Sequence, residues 1–362
     1  VKDTIKITIH LYNHYSIDIV DDVMKITNAA HTHKQVIIDT STEPVDLKQI
    51  PWKGKTRLLD VLHTLCEQNN WPREKFHIIS WNPLQETDTW PYMQTLWYSH
   101  HFTHVANKVL TVKKSIDKHF GIYVNNSSWP RLWLSAYLGQ HHQNKTDQTF
   151  VRSTTNAGHM ANLDLDALLF NFSSIGRMDN VDLAAIGNLI RRSPLTTSKI
   201  PLETDEDMHF STRTDHDDIM SAVADDIMQR YNRIFCDVVC ETMFTGSCIT
   251  LSEKVARCFM TETPFVAMAS KGFLSDLRTL GFKTFHDHWD ESYDYTSDAL
   301  RCIEISKVID RLACLDLPGL KKLYDSLRHI VKHNKERYLE LCGMQTGELE
   351  KMVVNSLRTK SQ

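Results

Sequence analysis

Short runs of apolar and β-branched residues alternate with stretches of helical spacing, and that alternation limits the possible folds more than any other feature of the chain. Thr4-Ile5-Lys6-Ile7-Thr8-Ile9-His10 alternates polar and apolar, so every second side chain falls on one face of a strand. A helix is predicted from about Ile17 to Thr27, with Ser16 placed to cap it. The apolar runs Gln35 to Asp39 and Phe76 to Ser80 follow, separated by a helical pattern around Leu58 to Gln68. Parallel strands need long crossovers, usually helical, so this order argues for a parallel sheet covered by helices.

A fourth run, His119 to Val124, leads through Asn125-Asn126-Ser127-Ser128-Trp129-Pro130 into a helical stretch, Arg131 to Leu138. Pro130 suits the first turn of that helix, where no N–H is needed. A new strand-loop-helix unit starts here, so the domain boundary is expected near residue 118. The reading is an α/β fold of two Rossmann-like domains, 1–118 and 119–340, with a C-terminal helix over 341–362. Residues 173–230 are rich in charge and turn formers and read as an insertion. The alternation then resumes with a strand from Ile234 to Glu241, a helix from Ser252, a strand from Pro264 to Met268, a helix from Lys271 and a mostly helical tail from Ser297.

Composition agrees with two compact domains. A chain of 362 residues exceeds what one core usually organises, and 41% hydrophobic with 24% charged residues is ordinary for globular proteins. No apolar run approaches the roughly 18 residues that a membrane helix needs. Val1-Lys2-Asp3-Thr4 lacks the basic region and apolar core of a secretion signal, so a cytoplasmic location without membrane contact is expected. The eight cysteines form no C-x-x-C pair and are expected to be reduced and mostly buried. A formal charge of −4 gives no global drive toward nucleic acid.

Chemistry concentrates in Cys248-Ile249-Thr250-Leu251-Ser252-Glu253-Lys254-Val255-Ala256-Arg257. Ser252 is placed to cap a helix whose first turns carry Lys254 and Arg257. Exposed helix N–H groups beside two cations suit a diphosphate, and Glu253 can accept from ribose hydroxyls. An ordinary capped helix has the same spacing.

The longer series distinguishes them. Ser252-Glu253-Lys254, Thr263-Pro264-Phe265, Gly272-Phe273-Leu274, Leu277-Arg278, Leu280-Gly281-Phe282-Lys283-Thr284-Phe285 and Asp290-Glu291-Ser292-Tyr293-Asp294 occur in that order. The series, from Glu241 to Arg301, resembles glycosyltransferase-like proteins of bacteriophage and environmental viruses. That resemblance implies a GT-B-like pair of Rossmann-like domains facing across a cleft, the second holding a nucleotide sugar of the UDP type and the first receiving the acceptor. It implies that Glu241 and Glu253 bind ribose or sugar, that Lys254 and Arg257 bind the diphosphate beside Ser252, and that Arg131 is a second phosphate contact. The last two words of the series read as scaffold: Gly281 ends a helix before a short strand, and Asp290 to Asp294 make a capped turn.

Sugar transfer also needs a general base, expected in the first domain beyond the carboxyl ends of its strands. His10, Asn13, His14 and Asp39 qualify, with His14 preferred. The pairs His100-His101 and His141-His142 lack a metal-ligand pattern, and Asp164-Leu165-Asp166 reads as the start of a helix, so no metal is expected. Some related viral enzymes glycosylate hydroxymethylated pyrimidines in DNA. Lys108, Lys113, Lys114 and Lys118 would then form a basic patch, and Trp81, Trp90, Trp97 and Tyr98 a pocket for an extruded base. A glycan acceptor and a non-catalytic binding protein of the same fold are the alternatives.

Overall fold

A computed structural model of the chain describes residues 2–9, 20–40, 56–80, 92–94, 113–124, 128–150, 183–192, 195–197, 229–241, 243–244, 246 and 251–343. They form two compact units, each built on its own sheet. The fold is mixed α/β with parallel sheets, as the alternation predicts.

In the first unit β1 (Lys2–Thr8), α1 (Asp21–Thr32), β2 (His33–Asp39), α2 (Leu58–Asn69), β3 (Phe76–Ser80) and β4 (Tyr92–Gln94) follow one another. The strands lie in sequence order and all neighbours are parallel, with Ile7 opposite Ile38 and Ile38 opposite Ile78. Ile26, Ala29 and Ala30 of α1 and Val61, Leu62 and Leu65 of α2 join Val36, Ile38, Phe76 and Ile78 in one core, so both helices cover the same sheet face. α1 runs from Asp21 to Thr32, ending later than its pattern predicts, and two aspartates in its first turn complement the helix dipole. Ser16 and Ile17 lie outside the described residues.

The second unit holds β5 (Lys118–Val124), α3 (Trp129–His141), β6 (Thr146–Phe150), α4 (Leu183–Arg191), β7 (Leu195–Thr196), β8 (Ile234–Cys240), α5 (Glu253–Met260), β9 (Phe265–Met268), α6 (Phe273–Thr279), α7 (Asp298–Ala313) and α8 (Leu317–Gly343). Residues 113–117 belong with it, since Ser115 and Asp117 donate backbone N–H groups to Asn232 and Arg233. The strand order is β7-β6-β5-β8-β9, antiparallel only at β7.

β6 has no apolar pattern, because Thr146-Asp147-Gln148-Thr149 is polar, yet all four residues are buried. Partners offset the cost of burying them: Gln148 Nε2 donates to the Ser135 carbonyl at 3.1 Å, Thr146 Oγ1 to the His142 carbonyl at 2.9 Å, and the Tyr123 hydroxyl to Asp147 at 3.2 Å. Part of the expected insertion is therefore integral, since β7 extends the sheet beyond β6 and α4 packs on α3.

The signature words are scaffold here. Asp294 accepts from the N–H groups of Leu274 and Ser275 at 3.0 and 3.1 Å and so caps α6, while Glu291 accepts from Phe285 N at 2.7 Å and from Arg278 at 3.2 Å. Residues 282–285 are not a strand, as their pattern predicts, but an irregular segment pinned to α8, where Asn334 bonds both the N–H and the carbonyl of Lys283. Cys66, Cys236, Cys240, Cys258 and Cys302 are buried free thiols, and Cys314 is exposed.

Candidate functional site

β5 is followed through α3 by β6 on one side, while β8 pairs on the other, so the direction of winding reverses between β5 and β8. Loops leaving the two strands diverge at such a point and open a crevice beyond their carboxyl ends. The first unit, with strands in simple order, has no such reversal among its described strands.

Three of the sequence-selected residues, Glu241, Ser252 and Lys254, are joined after β8, and a fourth, Arg131, begins the helix after β5 at the same end of the sheet. Arg131 lies in the first turn of α3 and is 7% exposed, and Glu241, directly after β8, is 3% exposed. Ser252 is fully buried as the N-cap of α5, its hydroxyl accepting from Lys254 N at 3.2 Å. Ser252 N donates to Glu241 Oε1 at 3.4 Å, which joins the end of β8 to the start of α5. The Lys254 ammonium reaches the Ser252 hydroxyl at 3.4 Å. Burial pushes the thiol of Cys240, the last residue of β8, up to about 12, while the charges of Arg131 and Lys254 pull the other way.

Arg301 braces the backbone beyond β8 and β9. Its guanidinium donates to the carbonyls of Phe244 and Ala269 at 2.7 and 2.8 Å and to that of Thr296 at 2.9 Å, so it ties down the segments that leave β8 and β9. Nothing in the local pattern marks Arg301 for this role, because its partners lie up to 57 residues away.

Other expected residues are placed differently. Arg257 acts on Asp237 and Tyr231, deeper along β8. Glu253 opens α5, but its side chain lies outside the described residues. Asp39, at the end of β2, is buried and held by Lys6 at 2.5 Å. His10, Asn13, His14, Asp164, Asp166, Lys108, Trp81, Trp90, Trp97, Tyr98 and the pair His100-His101 lie outside the described residues.

Of the lysines expected to form a basic patch, Lys113, Lys114 and Lys118 are among the described residues. Lys114 turns inward and donates to the Tyr231 carbonyl and the Thr263 hydroxyl, and Lys118 donates to the Asn144 carbonyl, while Lys113 is exposed. Lys114 belongs to a buried group with Asp237, Tyr231 and Cys258, in which the Tyr231 hydroxyl donates to Asp237 at 2.6 Å and the Cys258 thiol lies 3.5 Å from the same oxygen. A charged residue inside the apolar run of β8 was the sequence sign of that cluster.

Among the described residues no group of His, Cys, Asp or Glu is arranged to hold a metal ion, and no helix is long and apolar enough to cross a membrane. Comparison with protein-family models, curated proteins and solved structures finds no match to the chain.

Proposed function

We propose that the second unit holds the diphosphate of a nucleotide sugar where its strand order reverses, and that the chain is a glycosyltransferase. The observation that carries this reading is that Glu241, the Ser252-capped start of α5 and Lys254 are joined at the end of β8, with Arg131 opening the helix after the adjacent β5. Arg131 and Lys254 supply positive charge for a diphosphate, and the start of α5 supplies N–H donors. Glu241, with Glu253, is of the type that accepts hydrogen bonds from ribose or sugar hydroxyls. The ordered words from Ser252 to Asp294 support the same class.

In the reaction the acceptor oxygen bonds to the anomeric carbon as the bond from that carbon to the diphosphate oxygen breaks. The hydroxyl proton passes to a base, and the nucleoside diphosphate leaves with its charge met by Lys254 and Arg131. His14, which follows the first strand, is the base this reading prefers, with Asp39 as the alternative. A GT-B-like arrangement, with the two units facing across a cleft, would bring base and donor together. The acceptor is a hydroxyl of a modified pyrimidine in phage DNA or of a glycan.

Calorimetry with a panel of UDP-sugars tests the donor site. Lys254→Ala is expected to weaken binding by about tenfold, the loss of one charge-assisted contact. Equal affinity in parent and variant, or no binding by the parent, sinks the reading. Mass spectrometry of hydroxymethylcytosine duplex and of glycans incubated with the same panel then identifies the acceptor by its gain of one sugar residue.

A further inference from the structure

Parallel sheets bind substrates beyond their carboxyl ends, yet this sheet also carries a cavity at its amino ends. The cavity has a volume of about 340 Å³ and is lined by Lys113, Lys114, Lys321 and Arg328 together with Glu262 and Asp325. Lys114 lies four positions before β5, and its ammonium donates to the carbonyls of Tyr231 and Ile234, just before and at the start of β8, and to Thr263, two positions before β9. The cavity floor is thus assembled from the entries of three adjacent strands.

Charge sets what such a cavity takes. Three cations, Lys113, Lys321 and Arg328, face two carboxylates above the Lys114 floor, and the Glu262 carboxylate is neutralised from outside the lining by Lys335 at 3.0 Å. Asp325 meets Arg328 only at 3.8 Å, one helical turn away. Lys113 and Lys321 point into solvent at the rim. A chain whose net charge is −4 therefore gathers a local cationic excess around a concave site. Tyr324 forms one wall; its hydroxyl donates to the Glu262 carbonyl at 3.0 Å and its ring lies 5.6 Å from the Lys114 ammonium, so the wall and floor are braced before anything binds.

We propose that this cavity is a second binding site, for a small phosphorylated compound whose anionic group sits between Lys113, Lys321 and Arg328. A phosphate carries about −1.5 to −2 charges and accepts several hydrogen bonds at once, which matches a surplus of exposed cations better than a single carboxylate does. The volume falls at the lower end of the roughly 300–1,000 Å³ usual for small-molecule sites, large enough for a phosphate with an organic body and too small for a duplex. Its place at the opposite edge of the sheet from Arg131, Glu241 and Lys254 separates this occupant from the nucleotide sugar of the proposed donor site.

Inorganic pyrophosphate and adenosine 5′-monophosphate, titrated separately into the full chain by calorimetry at low salt, test the site. Both the parent and Lys254→Ala are titrated, so that binding in the crevice is separated from binding in the cavity. Saturable binding of at least one probe is expected to persist in Lys254→Ala and to weaken by about tenfold in the double variant Lys321→Ala/Arg328→Ala. The double variant Lys322→Ala/Lys332→Ala, which removes two charges from the same helix away from the cavity, is expected to bind like the parent. The proposal is overturned if neither probe binds the Lys254→Ala chain, if Lys321→Ala/Arg328→Ala leaves the affinity unchanged, or if the two double variants weaken it equally.

Discussion

The Ser252 N–H donates to the Glu241 carboxylate at 3.4 Å, although eleven positions separate them, and this bond joins the end of β8 to the cap of α5. Ser252 thus acts twice, its N–H fixing Glu241 and its hydroxyl capping the helix at Lys254 N. Ser252→Ala removes the second role alone. A loss of about 1 kcal/mol in urea unfolding is expected, the usual worth of a side-chain N-cap. Glu241 keeps its backbone donor in this variant, so unchanged stability would show that the hydroxyl is not the cap.

Arg301, 1% exposed, should be among the least replaceable residues of the second unit. Arg301→Met keeps much of the apolar stem but strands the carbonyls of Phe244, Ala269 and Thr296, and each buried acceptor left unsatisfied costs about 1–3 kcal/mol. Equilibrium denaturation is expected to show a loss of at least about 2 kcal/mol. A smaller loss would mean that the segments leaving β8 and β9 are held by other contacts.

Two glycines with the same backbone hand separate conformational cost from packing cost. Gly272 and Gly281 have φ of 84° and 90°; a Cβ on Gly272 meets nothing within 4 Å, whereas one on Gly281 falls 2.8 Å from Arg337 Nε. Gly272→Ala is expected to cost about 1 kcal/mol, from the left-handed backbone alone. Gly281→Ala should cost more, since Arg337 must also give up its 2.8 Å bond to the Leu280 carbonyl. Equal melting-temperature losses in the two variants would contradict this.

The buried Lys114 and Asp237 give the second unit an unusual pH response. Burial lifts Asp237 from 3.8 to about 6, so the folded state holds the extra proton in that range and stability falls as pH rises through it. Burial lowers Lys114 from 10.5 to about 7, so the unfolded state holds the extra proton above that value and stability rises from about pH 7 to 10.5. Tyr123, Tyr231, Cys236, Cys240, Cys258, Arg257, Glu262 and Tyr324 are among the titratable or charged groups around the pair. Urea unfolding from pH 4 to 10 is expected to show the parent losing the acid-side fall in Asp237→Asn and the alkaline rise in Lys114→Met. A profile of unchanged shape in either variant removes that residue as the cause.

Local pattern was enough to determine where most elements lie. The apolar spacing of β2, β3, β5 and β8 and of α2 is a property of neighbouring residues, and so is the serine that caps α5. Those features need only the short-range geometry of strands, helices and helix ends. β6 escaped that logic, because Thr146-Asp147-Gln148-Thr149 can be buried only where Tyr123, Ser135 and His142 supply partners. Lys114 likewise reads as a surface lysine until three strand entries close around it. That Arg131 after β5 and Glu241, Ser252 and Lys254 after β8 share one end of the sheet was the least legible from sequence order alone. It depends on β8 pairing beside β5 after more than a hundred intervening residues, and the tertiary structure decides it because strand order is set by non-local burial and pairing, which no local spacing encodes.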